Sequence, residues 1–577
     1  MSKLPPRIIA SRCRALLTAA ALIPAVPAAG SAQTVLVHVL KAETSIPVVG
    51  ALAHLVRGDQ SVVRQSLTNG RGQALFVGIP EASYQVRVEM IGMTTVETES
   101  FEASEGASVT RVIRVESRAI ELEGLDVALA SDRCTVRPAD GALVFQIWDE
   151  ARKALAVASL TDERGRFRYE TVKYERQIDR ETGVVLEEER SRRGGFMKTP
   201  YESRPAEDLA EHGFVRKEGT RNLYLAPDAS VLLSDTFLDT HCFHLADPAQ
   251  APPGLVGLGF RPTGEYRSVP DIAGVLWIDR ETAELRWLQY TYVYLEPERT
   301  SPEVGGRVDF ERMPDGTWIV REWWIRMPIM AVQPDFRGRP LRFIVRYQQT
   351  GGLVVDIREA GGRSLGRHAR TGGVEGVVLD SLGAPLQGVR VGIVGSNQQV
   401  FTDATGTFGI TGLPEGRYQV RFVTPAVEAA GYDLEPVRRD VVPGEMAYLE
   451  FYVPSMTDLL FNECRDVARE EETVVLAGTV VDRFGTPVSE ATVRVQWNVY
   501  DFSGVRNNRR GTDLRQIPQF LEATAGPRGS YTFCTVPAKA RLLLRAWTPA
   551  ARSEEIEFVI PEHEIGAVRT LEVSPSR

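Results

Sequence analysis

The chain has 577 residues, 43% of them hydrophobic and 25% charged, which predicts several folded domains and excludes a disordered or collagen-like polymer. Its formal net charge of −9 offers no basic field that would attract phosphate groups. We therefore expect no nucleic-acid partner, and an anionic membrane surface is hardly better as a partner.

Residues 1–32 have the layout of a signal peptide. A basic stretch that includes Lys3 and Arg7 precedes an apolar run and a group of small residues ending at Ala32. The apolar run is much shorter than the ~20 residues that a membrane helix requires. We expect cleavage near Ala32 and an exported mature chain with no transmembrane segment, in the periplasm, at the outer membrane or outside the cell.

Four cysteines remain in the expected mature chain. An even number in an oxidising compartment favours two disulfides over metal ligands. Three connectivities are possible. We favour Cys134 with Cys242 and Cys464 with Cys534, because each pair then lies inside or at the edge of one proposed domain. Both bonds are expected to be structural.

One pattern of strands and turns recurs at domain length. An alternating strand ends at Asp380 or Asp482, and a Gly-x-Pro turn and a second alternating strand follow. A glycine turn then precedes apolar residues two apart and a proline, a period typical of β structure. The same order recurs near the N-terminus, around Pro47, Gly72 and Pro80. The sequence thus predicts three copies of one β unit.

The motifs G-x-V-x-D-x-x-G-x-P, T-D-x-x-G-x-F and L-P-x-G-x-Y-x-V within residues 374–425 resemble the carboxypeptidase-regulatory-like domain. The resemblance implies a seven-stranded prealbumin-like sandwich, an accessory domain of secreted bacterial proteins that is sometimes linked to glycan binding. It implies no peptidase activity. The resemblance extends to residues 474–575, where an insertion separates the two halves, and to residues 34–125, which lack the acidic strand end.

The middle segment, about 130–365, has a different pattern. Apolar side chains at helical spacing precede long alternating strands such as WIDRETAELRWLQYTY, which predicts one helix and then an antiparallel sheet. This order resembles the half-barrel of periplasmic lipoprotein carriers, which implies a curved sheet that wraps a helix and holds acyl chains. Four tryptophans either line such a cleft or fill the core: Trp277, Trp287, Trp323 and Trp324.

The predicted fold class is therefore mainly β and multidomain, with prealbumin-like or Ig-like β-sandwiches flanking an α+β domain that resembles an antiparallel half-barrel. The predicted divisions are a signal peptide at 1–32, a degenerate carboxypeptidase-regulatory-like sandwich at 33–127, the middle domain at 128–366, and two further sandwiches of that family at 373–456 and 472–577.

No catalytic, cofactor-binding or metal-binding residue is predicted. None of the seven histidines begins H-x-x-E, and H-E-x-x-H is absent, so the spacing of a zinc peptidase is missing. Thr240–His244 brings two imidazoles and a thiol together, but we favour a disulfide there because further ligands are lacking. Gly362–Gly366 is a formal G-x-S-x-G, interpreted as an interdomain linker because no apolar helix follows.

The charged run Glu187–Arg193 is predicted to be a solvated hairpin tip. Taken together, these features predict a non-catalytic envelope protein that binds or scaffolds, with a glycan or a peptide as ligand and no cofactor. Two alternatives stay open. The middle domain would carry a lipid or acyl chain, or it would be a hydrolase whose active site is assembled from residues distant in sequence.

Overall fold

The computed structural model describes residues 33–104, 106–118, 143–163, 165, 167–192, 199–219, 221–264, 269–359, 361–362, 364–366, 371–429, 432–467, 472–501 and 515–575. The predicted signal peptide and Cys134 lie outside these residues. Two compact units make up the chain, divided after Arg118. The predicted fold class is confirmed: the protein is mainly β and contains several separate sheets.

The N-terminal unit is a β-sandwich. Its strands are β1 (Thr34–Lys41), β2 (Leu52–Arg57), β3 (Val62–Leu67), β4 (Gln73–Val77), β5 (Ala82–Glu89), β6 (Val96–Glu97), β7 (Phe101–Ala103) and β8 (Ser108–Val115). One sheet has the order β4–β1–β8, with β8 parallel to β1, and the other has the order β3–β2–β5–β6, with β7 also on β5. Alternate residues of β1 are buried between the sheets, as the period of two predicts.

The second unit begins with the α+β domain. Its helices are α1 (Leu143–Glu163), α2 (Ala206–His212), α3 (Ala229–Leu233) and α4 (Asp235–Thr240), with 3₁₀ turns at Pro248–Gln250 and Pro297–Arg299. Its strands are β9 (Phe167–Asp179), β10 (Val185–Arg192), β11 (Val215–Glu218), β12 (Arg221–Tyr224), β13 (His241–Leu245), β14 (Leu255–Pro262), β15 (Asp271–Asp279), β16 (Leu285–Val293), β17 (Gly305–Arg312), β18 (Trp318–Pro334), β19 (Pro340–Glu359) and β20 (Ser364–Gly366).

Ten of these strands form one antiparallel sheet in the order β10–β9–β19–β18–β17–β16–β15–β14–β13, with β20 on β19. Helix α1 packs on one face of this sheet through a buried stripe that includes Ile147, Ala151 and Leu155. Trp148 of the same stripe contacts Phe243 of β13, with 5.1 Å between ring centroids. One helix against an antiparallel sheet agrees with the predicted order of elements.

Two further sandwiches follow. The first has β21 (Gly372–Leu379), β22 (Arg390–Ile393), β23 (Gln399–Phe401), β24 (Thr407–Leu413), β25 (Gly416–Val423), α5 (Pro425–Ala429), β26 (Val437–Val441) and β27 (Met446–Tyr452), and α6 (Met456–Glu463) leads out of it. The second has β28 (Thr473–Asp482), β29 (Thr492–Asp501), β30 (Arg515–Thr524), β31 (Ser530–Pro537), β32 (Leu542–Trp547), β33 (Ala551–Ser553), β34 (Ile556–Phe558) and β35 (Gly566–Pro575).

All three sandwiches share one strand pairing. The first strand of each, β1, β21 or β28, has one antiparallel neighbour, β4, β24 or β31, and one parallel neighbour, β8, β27 or β35. The second strand of each pairs with the third and with the fifth. In the C-terminal sandwich the two halves are further joined into one eight-stranded sheet through β33.

Backbone geometry explains the recurring acidic residue and glycine. The Oδ1 atom of Asp380 accepts backbone N–H groups two and four residues ahead, at 2.9 and 2.8 Å, and Asp482 does the same at 2.8 and 2.9 Å. A Cβ at Gly376 would lie 1.7 Å from the Leu449 carbonyl oxygen, and one at Gly478 would collide equally with the parallel strand β35. These residues are therefore needed for folding.

Candidate functional site

The face of the ten-stranded sheet opposite α1 carries polar and aromatic side chains. Strand register places Trp324 opposite Arg307, and Glu322 opposite Asp309, which in turn lies opposite Trp287. Since directly paired residues of neighbouring strands point to one face, these side chains form a continuous patch. The alternate residues, such as Trp323 and Ile325, are buried on the other face.

Two irregularities in the strands add arginines to this patch. The pairing of β15 with β16 skips Arg286, and that of β17 with β18 skips Arg321, so each arginine is the extra residue of a β-bulge. A bulge turns a side chain away from the face that simple alternation would assign to it. Consequently Arg321 and Glu322, although consecutive, both line the same cavity.

This cavity, which we name the arginine–tryptophan cavity, has a volume of about 720 Å³. Its described lining includes the tryptophans Trp287, Trp318 and Trp324, the arginines Arg176, Arg286, Arg307, Arg312, Arg321 and Arg326, and the carboxylates Glu284, Asp309, Glu311, Glu322 and Glu415. The volume lies within the range of small-molecule sites, and a mixture of aromatic faces with a few oriented polar groups is typical of them.

Arginines stack on two of the tryptophans. The guanidinium carbon of Arg307 lies 4.4 Å from the centroid of the Trp287 ring, and that of Arg326 lies 5.0 Å from the Trp324 ring. Arg307 also makes two hydrogen bonds to Asp309, at 2.9 and 2.7 Å. Side chains held by ring stacking and by paired hydrogen bonds lose little further conformational entropy when a ligand binds.

The charges in the cavity are nearly balanced. Each of its six arginines lies within 4.0 Å of a carboxylate oxygen. Hydrogen-bond donors and acceptors are thus both present, without the excess of positive charge that would select an anion.

Glu322 is the titratable group with the largest consequence for this cavity. Burial raises the pKa of its carboxyl to about 7, repulsion from Asp309 adds to the shift, and the Arg176 charge and the Tyr174 hydroxyl oppose it. The Tyr174 hydroxyl donates to the Glu322 carboxylate at 3.3 Å, and burial in turn raises the pKa of Tyr174. The charge of the cavity therefore changes near neutral pH.

One wall of the cavity comes from the sandwich that starts at β21. The Arg176 guanidinium, on β9, donates to the Glu415 carbonyl at 2.8 Å and to the Tyr418 hydroxyl at 3.3 Å. A Cβ at Gly416 would lie 2.9 Å from the same guanidinium, so a glycine permits this close approach. The cavity is thus formed between two domains of the second unit.

The two domains are joined by a buried ion cluster behind this wall. The side chain of Glu188, on β10, is 1% exposed. Its carboxylate accepts from the Arg190 Nε at 2.6 Å and lies 3.0 Å from the Tyr418 hydroxyl and 3.9 Å from Arg176. Arg190 also donates to the Gly412 carbonyl at 2.6 Å. We call these residues the Glu188 cluster.

Backbone and apolar contacts extend the same junction. Val185 belongs to the hydrophobic core of the sandwich although it lies on β10 of the neighbouring domain. The Glu188 N–H donates to the Gly395 carbonyl at 2.8 Å, and a β-bridge joins Val184 to Arg417. The prediction that Glu187–Arg193 is a solvated tip is therefore wrong for Glu188 and Arg190, which a neighbouring domain covers, whereas Glu187, Glu189 and Ser191 are exposed.

The cysteine predictions have different outcomes. A disulfide joins Cys464 to Cys534, with 5.5 Å between their Cα atoms, as the favoured connectivity requires. Cys242 is disulfide-bonded, but its expected partner Cys134 lies outside the described residues, so that pairing stays a prediction.

His241 and His244 lie three residues apart on β13 and therefore point to opposite faces of this strand. The His241 ring is buried, lies 3.1 Å from the Phe237 carbonyl and stacks on the Phe237 ring, whereas His244 is partly exposed. Within the described ranges, no group of three or more His, Cys, Asp or Glu side chains is placed to hold a metal ion.

The G-x-S-x-G segment differs from the predicted linker. Ser364–Gly366 is a short strand that extends the ten-stranded sheet at the end of β19. Linker residues 367–370 lie outside the described part of the chain. The serine thus belongs to a strand, not to a turn between a strand and a helix.

The four tryptophans for which the sequence left a cleft or a core position open have two different environments. Trp277 and Trp323 are 7% and 8% exposed, and Trp287 and Trp324 line the cavity. The α1 face of the sheet, where an acyl chain would be held in the resemblance, is packed by the helix, and the cavity on the opposite face is lined with charges. This arrangement does not favour the carrier alternative.

The sequence had no signal for most of the cavity. Arg307 and Asp309 belong to an ordinary alternating strand with a polar face, which is typical of any half-exposed sheet. Arg286 and Arg321 enter through bulges that no local motif announces. Of the lining residues, the sequence indicates Trp287 and Trp324, because tryptophans on alternating strands are candidates for a cleft or a core.

Residues 373–451 match the family model of the carboxypeptidase regulatory-like domain. This part of the chain, which corresponds to β21–β27, is a domain of that family, as the motifs within 374–425 predicted. The match does not extend to the other two sandwiches or to the middle domain, so their assignments stay predictions.

Among solved structures, the chain is similar to a Streptococcal ancillary pilin (12% identity, 47% of this chain and 81% of that chain, TM-score 0.17) and to the Bacillus anthracis TIE protein (12%, 62% and 64%, TM-score 0.16). It is also similar to BcpA, the major pilin subunit of Bacillus cereus (8%, 94% and 100%, TM-score 0.14). The chain thus spans less than two thirds of the TIE protein. These TM-scores are too low to carry an argument about function.

No curated protein matches the chain. Among the described residues, no helix combines the length and the apolar character that crossing a membrane requires.

Proposed function

We propose that this is a non-catalytic, exported protein of the bacterial envelope that binds a glycan in the arginine–tryptophan cavity, with its β-sandwiches as the scaffold. The regulatory-like domain at 373–451 fits a non-catalytic scaffold protein. In this proposal the sandwiches at 33–127 and 472–577 belong to the same family, since their strand pairing is the same.

The observation that carries the proposal is the chemistry of the cavity lining. Trp287 and Trp324 are partly exposed and provide apolar ring surface, and each arginine of the lining lies within 4.0 Å of a carboxylate oxygen. The matching ligand has an apolar face and many groups that both donate and accept hydrogen bonds. A sugar ring has both, because its C–H groups lie on one face and its hydroxyls surround the rim.

The same chemistry disfavours the other ligands expected for such a protein. An acyl chain would displace water from the charged groups of the lining and would offer them no hydrogen bond in exchange. An extended peptide is usually recognised at a sheet edge, where backbone groups are unpaired, whereas this cavity lies on the face of a paired sheet. A glycan therefore fits the cavity better than a lipid or a peptide strand.

The test is a screen of the mature chain against bacterial envelope glycans, followed by titration calorimetry on any ligand found. Trp324→Ala should weaken binding on the order of tenfold, because a central aromatic surface is lost. Trp547→Ala is the matched control, since Arg494 stacks on that ring at 5.3 Å in the C-terminal sandwich, away from the cavity. Binding that both variants lose equally, or neither loses, would contradict the assignment to this cavity.

Hydrolysis of a bound glycan is the second candidate function. Asp309 and Glu322 lie opposite each other on neighbouring strands, and the pKa of Glu322 is raised to about 7, as a general acid at neutral pH requires. Incubation of the ligand with the protein, analysed by mass spectrometry, decides this point. Cleavage that Glu322→Gln abolishes would make the protein an enzyme, and an intact ligand would leave binding as the function.

The location is tested separately. Fractionation of the producing cell should recover the protein from the periplasm, the outer membrane or the medium, with an N-terminus at or near Gln33. A full-length chain that retains residues 1–32 in the cytoplasm would contradict export. Non-reducing peptide mapping of the same material would show whether Cys134 is joined to Cys242.

A further inference from the structure

The β18–β19 hairpin extends beyond the sheet that contains it. The pairing of β18 with β17 ends at Arg326, and the pairing of β19 with β9 starts at Arg346. Beyond these points, residues 330–334 pair with 340–344 and with no third strand in the described part of the chain. We call this two-stranded segment the arm. An isolated hairpin of this kind is marginally stable in water.

The outer part of the arm exposes large apolar side chains. Phe336, at the turn, is 89% exposed, and Val332 and Leu341 on the two strands are 62% and 56% exposed. Val332 pairs with Arg342 and Leu341 with Gln333, so these two apolar side chains lie on opposite faces of the hairpin. Exposed apolar residues are common singly, but with Phe336 at the turn they make the outer end of the arm apolar on both faces, which a partner that surrounds this end would shield from water.

The charge of the arm is opposite to that of the whole protein. Its charged residues are Asp335, Arg337, Arg339 and Arg342, which gives 3 − 1 = +2 within a chain of net charge −9. Arg339 is paired with Asp335 at 2.9 Å. Arg337 lies over the Phe336 ring, 5.1 Å from its centroid, so a cation stands directly beside the most exposed apolar group.

We propose that the arm docks on an anionic phospholipid surface. Phe336, Val332 and Leu341 enter the boundary between headgroups and acyl chains, and Arg337 and Arg342 lie at the level of the phosphates. An apolar tip flanked by cations has the chemistry of interfacial membrane binding, in which buried apolar area and attraction to anionic lipid add together.

A second copy of the chain is the less suitable occupant of the same surface. Two arms brought together would place like charges beside each other, and mutual repulsion would oppose the gain from apolar contact. An anionic lipid surface meets both requirements, because it receives the apolar side chains and neutralises the arginines. The negative net charge of the protein does not argue against this site. Attraction to a charged surface acts within a Debye length of ~8–10 Å, so the positive charge of the arm decides it.

The experiment is co-sedimentation of the mature chain with vesicles of phosphatidylcholine alone and of phosphatidylcholine mixed with phosphatidylglycerol. The proposal expects binding to the anionic vesicles, little binding to the neutral ones, and a decrease as salt is added. Arg337→Gln together with Arg342→Gln should weaken binding roughly 25-fold, about fivefold for each arginine. Phe336→Ser should weaken it on the order of tenfold.

Phe484→Ser is the matched control. Phe484 is 75% exposed on a turn of the C-terminal sandwich, and the Arg483 guanidinium carbon lies 4.6 Å from its ring centroid, but Asp482 precedes this pair and no long hairpin carries it. This variant should bind as the unmodified chain does. Circular dichroism establishes that each variant remains folded, which is expected for substitutions at exposed positions.

Three outcomes would overturn the proposal: no binding to either vesicle, equal binding to both, or anionic binding that the arm variants retain. Analytical ultracentrifugation adds a fourth. If Phe336→Ser abolishes a self-association of the unmodified chain and leaves vesicle binding unchanged, the arm is an interface between copies of the protein.

Discussion

The regulatory-like domain and the C-terminal sandwich have the same strand pairing and the same aspartate turns, yet they are anchored in the chain by different chemistry. The regulatory-like domain is joined to the middle domain by the buried Glu188 cluster and by Val185 in its core. The C-terminal sandwich is joined to the preceding linker by the Cys464–Cys534 disulfide, next to the exposed Asp433–Arg528 pair at 2.8 Å. The same β fold is thus attached to its neighbouring segment by buried ion pairs in one case and by a disulfide in the other.

The difference shows which part of a repeated domain is free to acquire a role. The Asp380 and Asp482 turns and the buried strands are shared, because each copy must fold by itself. The loop before β25 is not shared. It carries Glu415, and Gly416 and Tyr418 follow in β25, so this end of the regulatory-like domain both closes the cavity and meets the Glu188 cluster.

The largest expected effect comes from breaking the electrostatic anchor. Glu188→Ala leaves the buried Arg176 and Arg190 without their carboxylate and should destabilise the junction by about 3–5 kcal/mol. Amide hydrogen exchange of β25 measures this loss locally. Asp440→Ala is the control, because Asp440 forms an exposed ion pair with Arg417 at 2.7 Å in the same domain and should change little. Equal effects of the two substitutions would show that burial of the cluster is unimportant.

The covalent anchor should contribute almost as much. The disulfide closes a loop with a sequence separation of 70, so Cys464→Ser with Cys534→Ser should cost the C-terminal sandwich about 4.4 kcal/mol by the chain-entropy model. Urea unfolding with and without reductant checks this value. The regulatory-like domain should be unaffected, and a similar loss in β25 exchange would mean that the two anchors are coupled.

The next largest effect is a pH dependence of the free energy of unfolding, caused by Glu322 in the cavity. Folding raises the pKa of Glu322 from 4.5 to about 7, so the resulting stabilisation is full below 4.5 and is lost as the pH rises through 7. Glu322→Gln has no such loss, because glutamine does not ionise. The stability of this variant relative to the unmodified protein should therefore increase by about 3 kcal/mol as the pH rises from 4.5 to above 7. Urea unfolding of both proteins across this pH range gives the difference. Parallel pH profiles would contradict the raised pKa.

The smallest effect is expected from the apolar part of the junction. Val185→Ala removes two methyl groups from the core of the neighbouring domain and should cost about 2 kcal/mol. The same exchange measurement on β25 tests it. Val499→Ala is a matched substitution, because Val499 is exposed on β29, and no loss is expected there.

Much of the fold follows from the chain itself. Alternation of apolar residues, the Gly-x-Pro turns and the acidic strand ends predict the sandwiches, since each is a local backbone requirement. The helical spacing from Val144 to Leu155 predicts α1 on the same grounds. The cavity does not follow in this way, because Arg176, Glu322 and Glu415 are brought together from three distant segments and because two arginines enter through bulges.

Local sequence thus determined the β units, the main helix and the regulatory-like family of residues 373–451, whereas it favoured the Cys464–Cys534 pairing among three possible connectivities. The tertiary structure alone decided that the charged run at Glu188 is buried, that one sandwich closes a cavity, and that the arm projects with its own positive charge. The physical reason is the sequence distance over which each interaction acts. Turns and periodic burial act over a few residues, whereas burial of charge and enclosure of a cavity depend on which distant surfaces meet.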